Sequence, residues 1–182
     1  MSSKYKPGDA ASPHFVTFSV VGWVDVFSRE LYKEIMLDSL RYCIEQKGLS
    51  MHAWIIMTNH VHLILSSETA KIEHLVRDMK KFTSKQIIKA IRENQDESRK
   101  EWMLNLFAFA GRGNHNNKEF QFWKQDYHPI ELNTNEKLKQ RLHYLHENPV
   151  QSGLVWEAWH YKYSSATDYY TSKKGLLSIE HL

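Results

Sequence analysis

The 182-residue sequence contains very little cysteine and no long apolar run. Its one cysteine, Cys43, excludes an intramolecular disulfide and is typical of a chain that folds in a reducing compartment. No apolar stretch approaches the roughly 20 residues of a membrane span, and the polar N-terminus lacks the apolar segment of a signal peptide. We therefore expect a cytoplasmic protein in which Cys43 packs as a small core residue.

The sequence also lacks a strong excess of charge. Its 24 Lys and Arg residues are nearly balanced by 21 Asp and Glu residues, which gives a formal net charge of +3. This balance does not by itself indicate a nucleic-acid partner. Hydrophobic residues (42%) and aromatic residues (13%) are plentiful. They are sufficient for a core, and exposed aromatic rings can also stack on unpaired bases.

Hydrophobic periodicity predicts seven elements in the order β-α-β-β-α-β-α. Strands are expected at 14–21, 50–57, 61–65 and 120–132, and helices at 29–47, 72–94 and from 133 or 135 to 147. Pro149 would end the last helix, and residues 95–119 would form a loose loop. This order predicts an α+β, ferredoxin-like (RRM-like) antiparallel sheet with helices on one face and the other face free for a ligand or an added helix.

The first candidate site is the His-x-His pair formed by His60 and His62. Residues i and i+2 of a strand point to the same face, so the two imidazoles project together while Val61 and Leu63 point into the core. Two adjacent imidazoles form half of a divalent metal site. Two ordinary surface histidines would give the same pattern.

The second candidate site is the last predicted helix. Tyr144 and Asn148 are four residues apart and share a stripe with Lys137 and Arg141, beside an apolar stripe that includes Leu145. A tyrosine and an amide at this spacing can face one point. A tyrosine at the edge of the core would fit the pattern equally well.

The third candidate is a basic stripe on the long helix. Residues 71–92 contain seven basic and two acidic residues, a net charge of +5 that exceeds the charge of the whole chain. A stripe of this kind suits a phosphate backbone, although a solvated helix face is the ordinary alternative. The candidate DNA-binding residues on it are Arg77, Lys81, Lys85, Lys89 and Arg92.

Taken together, these segments resemble the single-tyrosine HUH transposases, in particular the REP-associated tyrosine transposases. The resemblance spans roughly residues 14–170 and rests on an ordered set of motifs. They are HAWIIMTNHVHLI at 52–64, MKKFTS at 79–84, FWKQDY at 122–127, HYLHENPVQSGL at 143–154 and YSSA at 163–166.

The resemblance implies a domain at 14–170, flanked by a flexible N-terminus at 1–13 and a C-terminal tail at 171–182. It implies that Tyr144 is the nucleophile on a helix docked against the free sheet face, and that His60, His62 and Asn148 bind Mg²⁺ or Mn²⁺. Single-stranded, hairpin-forming DNA would be cut and rejoined through a 5′-phosphotyrosine. Arg141 would join the DNA-binding set, and Lys137 or Arg141 would favour the phenolate. The protein would be a monomer or a homodimer.

The sequence departs from the family pattern at two places: Thr58 replaces a common proline, and the predicted loop at 95–119 is longer than in compact members. Two other functions remain open. One is a catalytically silent nucleic-acid-binding module whose sheet aromatics stack on bases. The other is a metal-dependent hydrolase that uses water instead of tyrosine. A covalent adduct on DNA would distinguish the transposase from both.

Overall fold

The structure, a computed structural model, describes residues 12–112, 119–125 and 129–182. Its centre is a four-stranded antiparallel sheet with the strand order β2-β3-β1-β4. The strands are β1 (His14–Ser19), β2 (Ser50–Ile56), β3 (His60–Ser66) and β4 (Ile130–Glu131). Because β1 pairs with β3 and β4 rather than with β2, the connection through the first helix skips a strand. The predicted α+β, ferredoxin-like class is confirmed.

Helices cover both faces of this sheet. On one face, α1 (Glu30–Gln46) packs beside α2 (Ile72–Glu93), and α3 (Lys100–Arg112) packs against α2. On the other face, α4 (Asn135–Gln151) contacts β2 and β3, and the short α5 (Ala166–Tyr170) follows it. The docking of the tyrosine-bearing helix on the free face of the sheet is therefore confirmed.

The strand register sorts the side chains of β3 between these two faces. His62 lies opposite Thr17 of β1, and His60 lies opposite Ser19. Side chains alternate along a strand, so both histidines point toward α4 while Val61 and Leu63 point toward the main core. Val61 and Leu63 have no exposed surface, as expected for the apolar face of the sheet.

The prediction of a loop at 95–119 was wrong for about half of that range, because residues 100–112 form α3. Met103, Phe107 and Gly111 recur every four residues and face the core. Gly111 is required there, since a Cβ at this position would lie 2.9 Å from the Glu119 carbonyl oxygen. The exposed side of α3 also carries large aromatic residues, so the sequence shows no clean one-sided apolar stripe. Residues 113–118 lie outside the described part.

The long strand expected at 120–132 was also wrong. Of the described residues in this range (120–125 and 129–132), only Ile130–Glu131 pairs with β1 as a strand, and Trp123 makes a single bridge to Val20. Phe122 and Trp123 are buried against Phe27 rather than arranged along a pleated strand. Their aromatic character reflects core packing and not strand propensity.

The end expected for the last helix was wrong as well, because α4 continues through Pro149 to Gln151. A proline near the C-terminus of a helix removes one main-chain hydrogen bond. The final turn is closed by the Ser152 amide, which donates to the Asn148 carbonyl at 3.0 Å. Asn148 is therefore helical and keeps its position one turn beyond Tyr144.

The segment predicted as a C-terminal tail is bound to the edge strand β2. The Glu180 amide donates to the Met51 carbonyl at 2.8 Å, and Leu177 is buried in the core. The predicted flexible N-terminus falls mostly on residues 1–11, which lie outside the described part. Among the helices that are described, none has the length and apolar character needed to cross a bilayer.

Candidate functional site

The sheet face beneath α4 holds an open cavity of about 340 Å³. It brings together the predicted metal ligands and the predicted nucleophile, which come from β3 and α4. Its lining residues are Phe15, Thr17, Ser19, Trp23, His60, His62, Arg141, Tyr144 and Asn148.

Each histidine in the cavity is held through its Nδ1 atom. His60 Nδ1–H donates to Asn59 Oδ1 at 2.6 Å, and His62 Nδ1 is 2.8 Å from the Thr17 hydroxyl. The two imidazole centroids are 4.7 Å apart. With Nδ1 engaged in this way, the Nε2 atoms are the ones available to a ligand.

The electrostatics of the pair favour neutral imidazoles. Burial, together with the nearby His60 and Arg141, lowers the pKa of His62 to about 3. Burial also lowers the pKa of His60, while a hydrogen bond to the Asn148 side chain acts in the opposite direction. A neutral imidazole keeps the lone pair that a metal ion requires.

One buried atom lacks a partner in this arrangement. His62 is only 5% exposed, and its Nε2 atom has no hydrogen-bond partner among the described residues. The described part also contains no group of three or more His, Cys, Asp or Glu side chains that could hold a metal. Among the residues that line the cavity, Asn148 supplies an amide oxygen as the candidate third protein ligand. The residues fit a divalent ion with open coordination positions.

Tyr144 lies directly beside this pair. Its ring centroid is 5.4 Å from that of His62 and 6.2 Å from that of Phe15, both in edge arrangements. Tyr144 is 40% exposed, so it is accessible to a ligand that enters the cavity. The sequence offers a second candidate nucleophile, Tyr127 at the end of the FWKQDY motif, but it has no Asn four residues further along a predicted helix, and it lies outside the described residues.

Of the two cations expected to assist Tyr144, only Arg141 lines the cavity. Its guanidinium lies 5.2 Å from the centre of the Phe15 ring, which keeps it at the wall. Lys137, the alternative to Arg141, is exposed and outside the lining of the cavity, and its Nζ donates to Asn133 Oδ1 at 3.0 Å. The first turn of α4 lies beyond the edge of the cavity. Of the helix stripe that contains Lys137, Arg141, Tyr144 and Asn148, only the part from Arg141 onward therefore lines the cavity.

The other predicted basic residues line a separate groove of about 1180 Å³ beside α2. Arg77, Lys81, Lys85, Lys89 and Arg92 all face it. The opposite wall is the segment 119–125, which ends near the cavity, since Lys124 Nζ lies 4.0 Å from the centre of the Trp23 ring. One residue of the groove wall, Lys124, therefore lies beside a residue of the cavity wall, Trp23.

Sequence reasoning missed three residues that support the cavity: Thr17, Asn59 and Trp23. Thr17 could have been found from the alternation of β1, which places it on the same face as Phe15. Asn59 is adjacent to His60 in the sequence. Trp23 lies in a 3₁₀ turn (Val21–Trp23), and nothing in the sequence pattern indicated its position.

Comparison with solved structures gives the same fold. The chain resembles a REP-associated tyrosine transposase solved in complex with a REP hairpin: 14% identity, 92% of this chain and 84% of that chain covered, and a TM-score of 0.61. A protein from Deinococcus radiodurans R1, described as a candidate transposase, is 17% identical over 78% of this chain and 94% of that chain, with a TM-score of 0.46. The second likeness is too distant to support an argument.

The family comparison is more direct. No curated protein matches the chain. A sequence model of the IS200-like transposases, however, matches residues 12–118, which is more than half of the chain and includes the whole of β1, β2 and β3. The chain belongs to the family of IS200-like transposases.

Proposed function

We propose that this transposase cuts and rejoins single-stranded DNA through a 5′-phosphotyrosine at Tyr144. The observation that carries the proposal is the cavity itself. In it, Tyr144 and Asn148 face the same space as His62 Nε2, an atom that has no hydrogen-bond partner within the described part of the chain. The resemblance to a transposase solved with a REP hairpin supports hairpin-forming DNA as the substrate. A pure binding module would need none of these groups.

The proposed site would hold Mg²⁺ or Mn²⁺ through His60, His62 and Asn148. When bound, the ion would neutralise and orient the scissile phosphate. Arg141 adds a fixed positive charge at the cavity wall, which stabilises negative charge on the phosphate and on the phenolic oxygen. The basic groove beside α2 would hold the DNA backbone on its way to the cavity.

The proposed chemical step is an in-line displacement at phosphorus. The Tyr144 hydroxyl gives its proton to water and its oxygen forms a bond to the phosphorus, while the bond from phosphorus to the 3′ oxygen breaks. The departing 3′ oxygen takes up a proton from water. The phosphodiester energy is kept in the tyrosine ester, so a free 3′ hydroxyl can attack it later and rejoin the strand without ATP.

A denaturing gel after incubation with hairpin DNA and Mn²⁺ tests this proposal. The wild-type protein should give a covalent DNA adduct, and Tyr144→Phe should give none while still binding the DNA. Tyr42→Phe, which removes an exposed hydroxyl from α1, is the matched control and should behave as wild type. Cleavage without any adduct would instead indicate a hydrolase that uses water.

A further inference from the structure

The backbone of Trp23 is unusual. Within the described residues it is the one non-glycine residue with a positive φ, 56°, and it follows Gly22 with a φ of 66°. Bulky side chains rarely adopt this left-handed region, and residues held there are concentrated at ligand sites. Core packing does not account for the conformation, because the Trp23 side chain is 55% exposed.

The Trp23 ring faces the active-site cavity between two groups that bind phosphate or metal in the proposed function. Its centroid is 6.1 Å from that of His60, and Lys124 Nζ lies 4.0 Å from it on the side of the basic groove. The Asn59 amide donates to the Trp23 carbonyl at 3.4 Å, and the Asn59 oxygen accepts from His60. The strained turn is therefore tied to the histidine pair.

Trp23 and Tyr144 lie at opposite ends of that pair. Tyr144 contacts His62 and Phe15, whereas Trp23 contacts His60, which is paired with Ser19 at the far end of β1. In an in-line displacement, the attacking and leaving oxygens are on opposite sides of the phosphorus. If a phosphate is held between Tyr144 and Trp23 and Tyr144 attacks it, the leaving 3′ oxygen points toward Trp23.

We infer that Trp23 stacks on the base of the nucleotide that carries the leaving 3′ oxygen, immediately 5′ of the cut. The inference rests on the proposed function of the cavity. An exposed indole ring next to a lysine and a phosphate-binding groove suits an unpaired base, because every base offers a π-face to an aromatic side chain. Stacking would place the scissile phosphate in line with Tyr144, so Trp23 is a positioning residue.

The test combines a Trp23 variant with abasic DNA. Trp23→Asn removes the ring and suits the left-handed backbone, and Trp23→Phe keeps a smaller ring. The rate of adduct formation at subsaturating DNA, with Mn²⁺, is measured on intact hairpin DNA and on DNA with an abasic residue either just 5′ or just 3′ of the cut. The melting temperature of each variant is measured alongside.

Trp23→Asn should slow adduct formation on intact DNA about tenfold, within the range of one lost stacking contact, and Trp23→Phe should slow it less. On DNA with the 5′ abasic residue, adduct formation by the wild type should be slowed to a similar extent. The same DNA should not slow Trp23→Asn any further than intact DNA does. The 3′ abasic residue should affect both proteins equally. The melting temperature of Trp23→Asn should equal or exceed that of the wild type, because the strained backbone is relieved.

The inference would be overturned if the Trp23→Asn variant on the 5′ abasic DNA showed the product of the two separate rate reductions. It would also be overturned if Trp23→Asn formed the adduct at the wild-type rate. A lower melting temperature together with equal losses on every DNA would assign Trp23 a purely structural role, which also overturns it. These outcomes leave the proposed function standing. Absence of an adduct from the wild-type protein on every DNA would instead overturn the proposed function and this inference together.

Discussion

Two side chains that do not touch the proposed metal ion set the orientation of its histidine ligands. Thr17 engages Nδ1 of His62, and Asn59 engages Nδ1 of His60. Partners of this kind fix the tautomer and the ring plane of a ligating histidine, and their loss typically weakens metal binding 10- to 100-fold. The cavity therefore depends on a neighbouring strand and on the β2–β3 turn as much as on the ligands themselves.

Replacing Thr17 by valine keeps the shape of the side chain and removes the hydroxyl that contacts His62. We expect Thr17→Val to weaken Mn²⁺ binding by about tenfold or more, as measured by calorimetry in the presence of uncleavable hairpin DNA. Thr17→Ser retains the hydroxyl and should bind as the wild type does. Equal affinities for the valine and serine variants would mean that Thr17 does not position His62.

At the scale of the residue, spacing in the sequence predicted which side chains would meet, although not how buried they would be. The i, i+2 pair of His60 and His62 and the i, i+4 pair of Tyr144 and Asn148 face one cavity because strand and helix periods are fixed by geometry. Burial of His62 depends on where α4 packs, which is a tertiary property. The contribution of Trp23 depends on an unusual φ value, which the sequence pattern does not reveal.

At the scale of the element, α2 carries the basic wall of the groove. The triple change of Lys81, Lys85 and Lys89 to alanine should lower the log-log slope of DNA affinity against salt by two to three units, because each phosphate contact releases about one counterion. Fluorescence anisotropy between 50 and 300 mM salt measures this slope. The triple change of Lys139, Lys173 and Lys174, all exposed and away from the groove, is the control and should leave it unchanged. Identical slopes in both triple variants would make the α2 stripe a solvated face only.

The anchoring of α4 should depend on pH through His146. His146 is fully buried, and its Nε2 is 2.9 Å from the Ser165 hydroxyl. Burial, together with the nearby His143, lowers the pKa of His146 to about 4. Between pH 6.5 and 4 the unfolded chain binds a proton that the folded chain excludes. The stability is therefore complete above pH 6.5 and falls as the pH decreases, by about 2 kcal/mol at pH 5 for this one group.

Urea unfolding at pH 7 and pH 5 measures this effect. The loss of stability between the two pH values should shrink in His146→Gln. It should persist largely in His143→Gln, which changes an exposed histidine on the same helix. The same loss in both variants would show that His146 does not carry the pH dependence.

Long elements with a clear period were predicted from the sequence almost to their ends, as for α1 and α2. The errors are at short or irregular segments. Helix α3 carries apolar residues on its exposed side as well as on its core side, and the aromatic residues Phe122 and Trp123 fill the core without pairing as a strand. Such segments are determined by tertiary packing, which overrides local propensity.

At the scale of the whole molecule, Tyr144 lies against His62 of its own chain, because α4 packs on the sheet from which β3 comes. We therefore expect one chain to contain a complete site. A mixture of Tyr144→Phe with the His60→Ala, His62→Ala double variant should form no DNA adduct beyond that of either variant alone. Restored adduct formation in the mixture would show that helices are exchanged between two chains in a dimer.

The measurement that tests the central claim most directly is the chemical identity of the DNA-linked residue. The protein is incubated with hairpin DNA and Mn²⁺, the adduct is digested with trypsin and nuclease, and the peptide is fragmented by mass spectrometry. The account predicts a 5′-phosphonucleotide on Tyr144, in the peptide spanning residues 142–162, and on no other residue of that peptide. Attachment to Tyr127 or to Tyr161, or a cut DNA with no linked peptide, would contradict it.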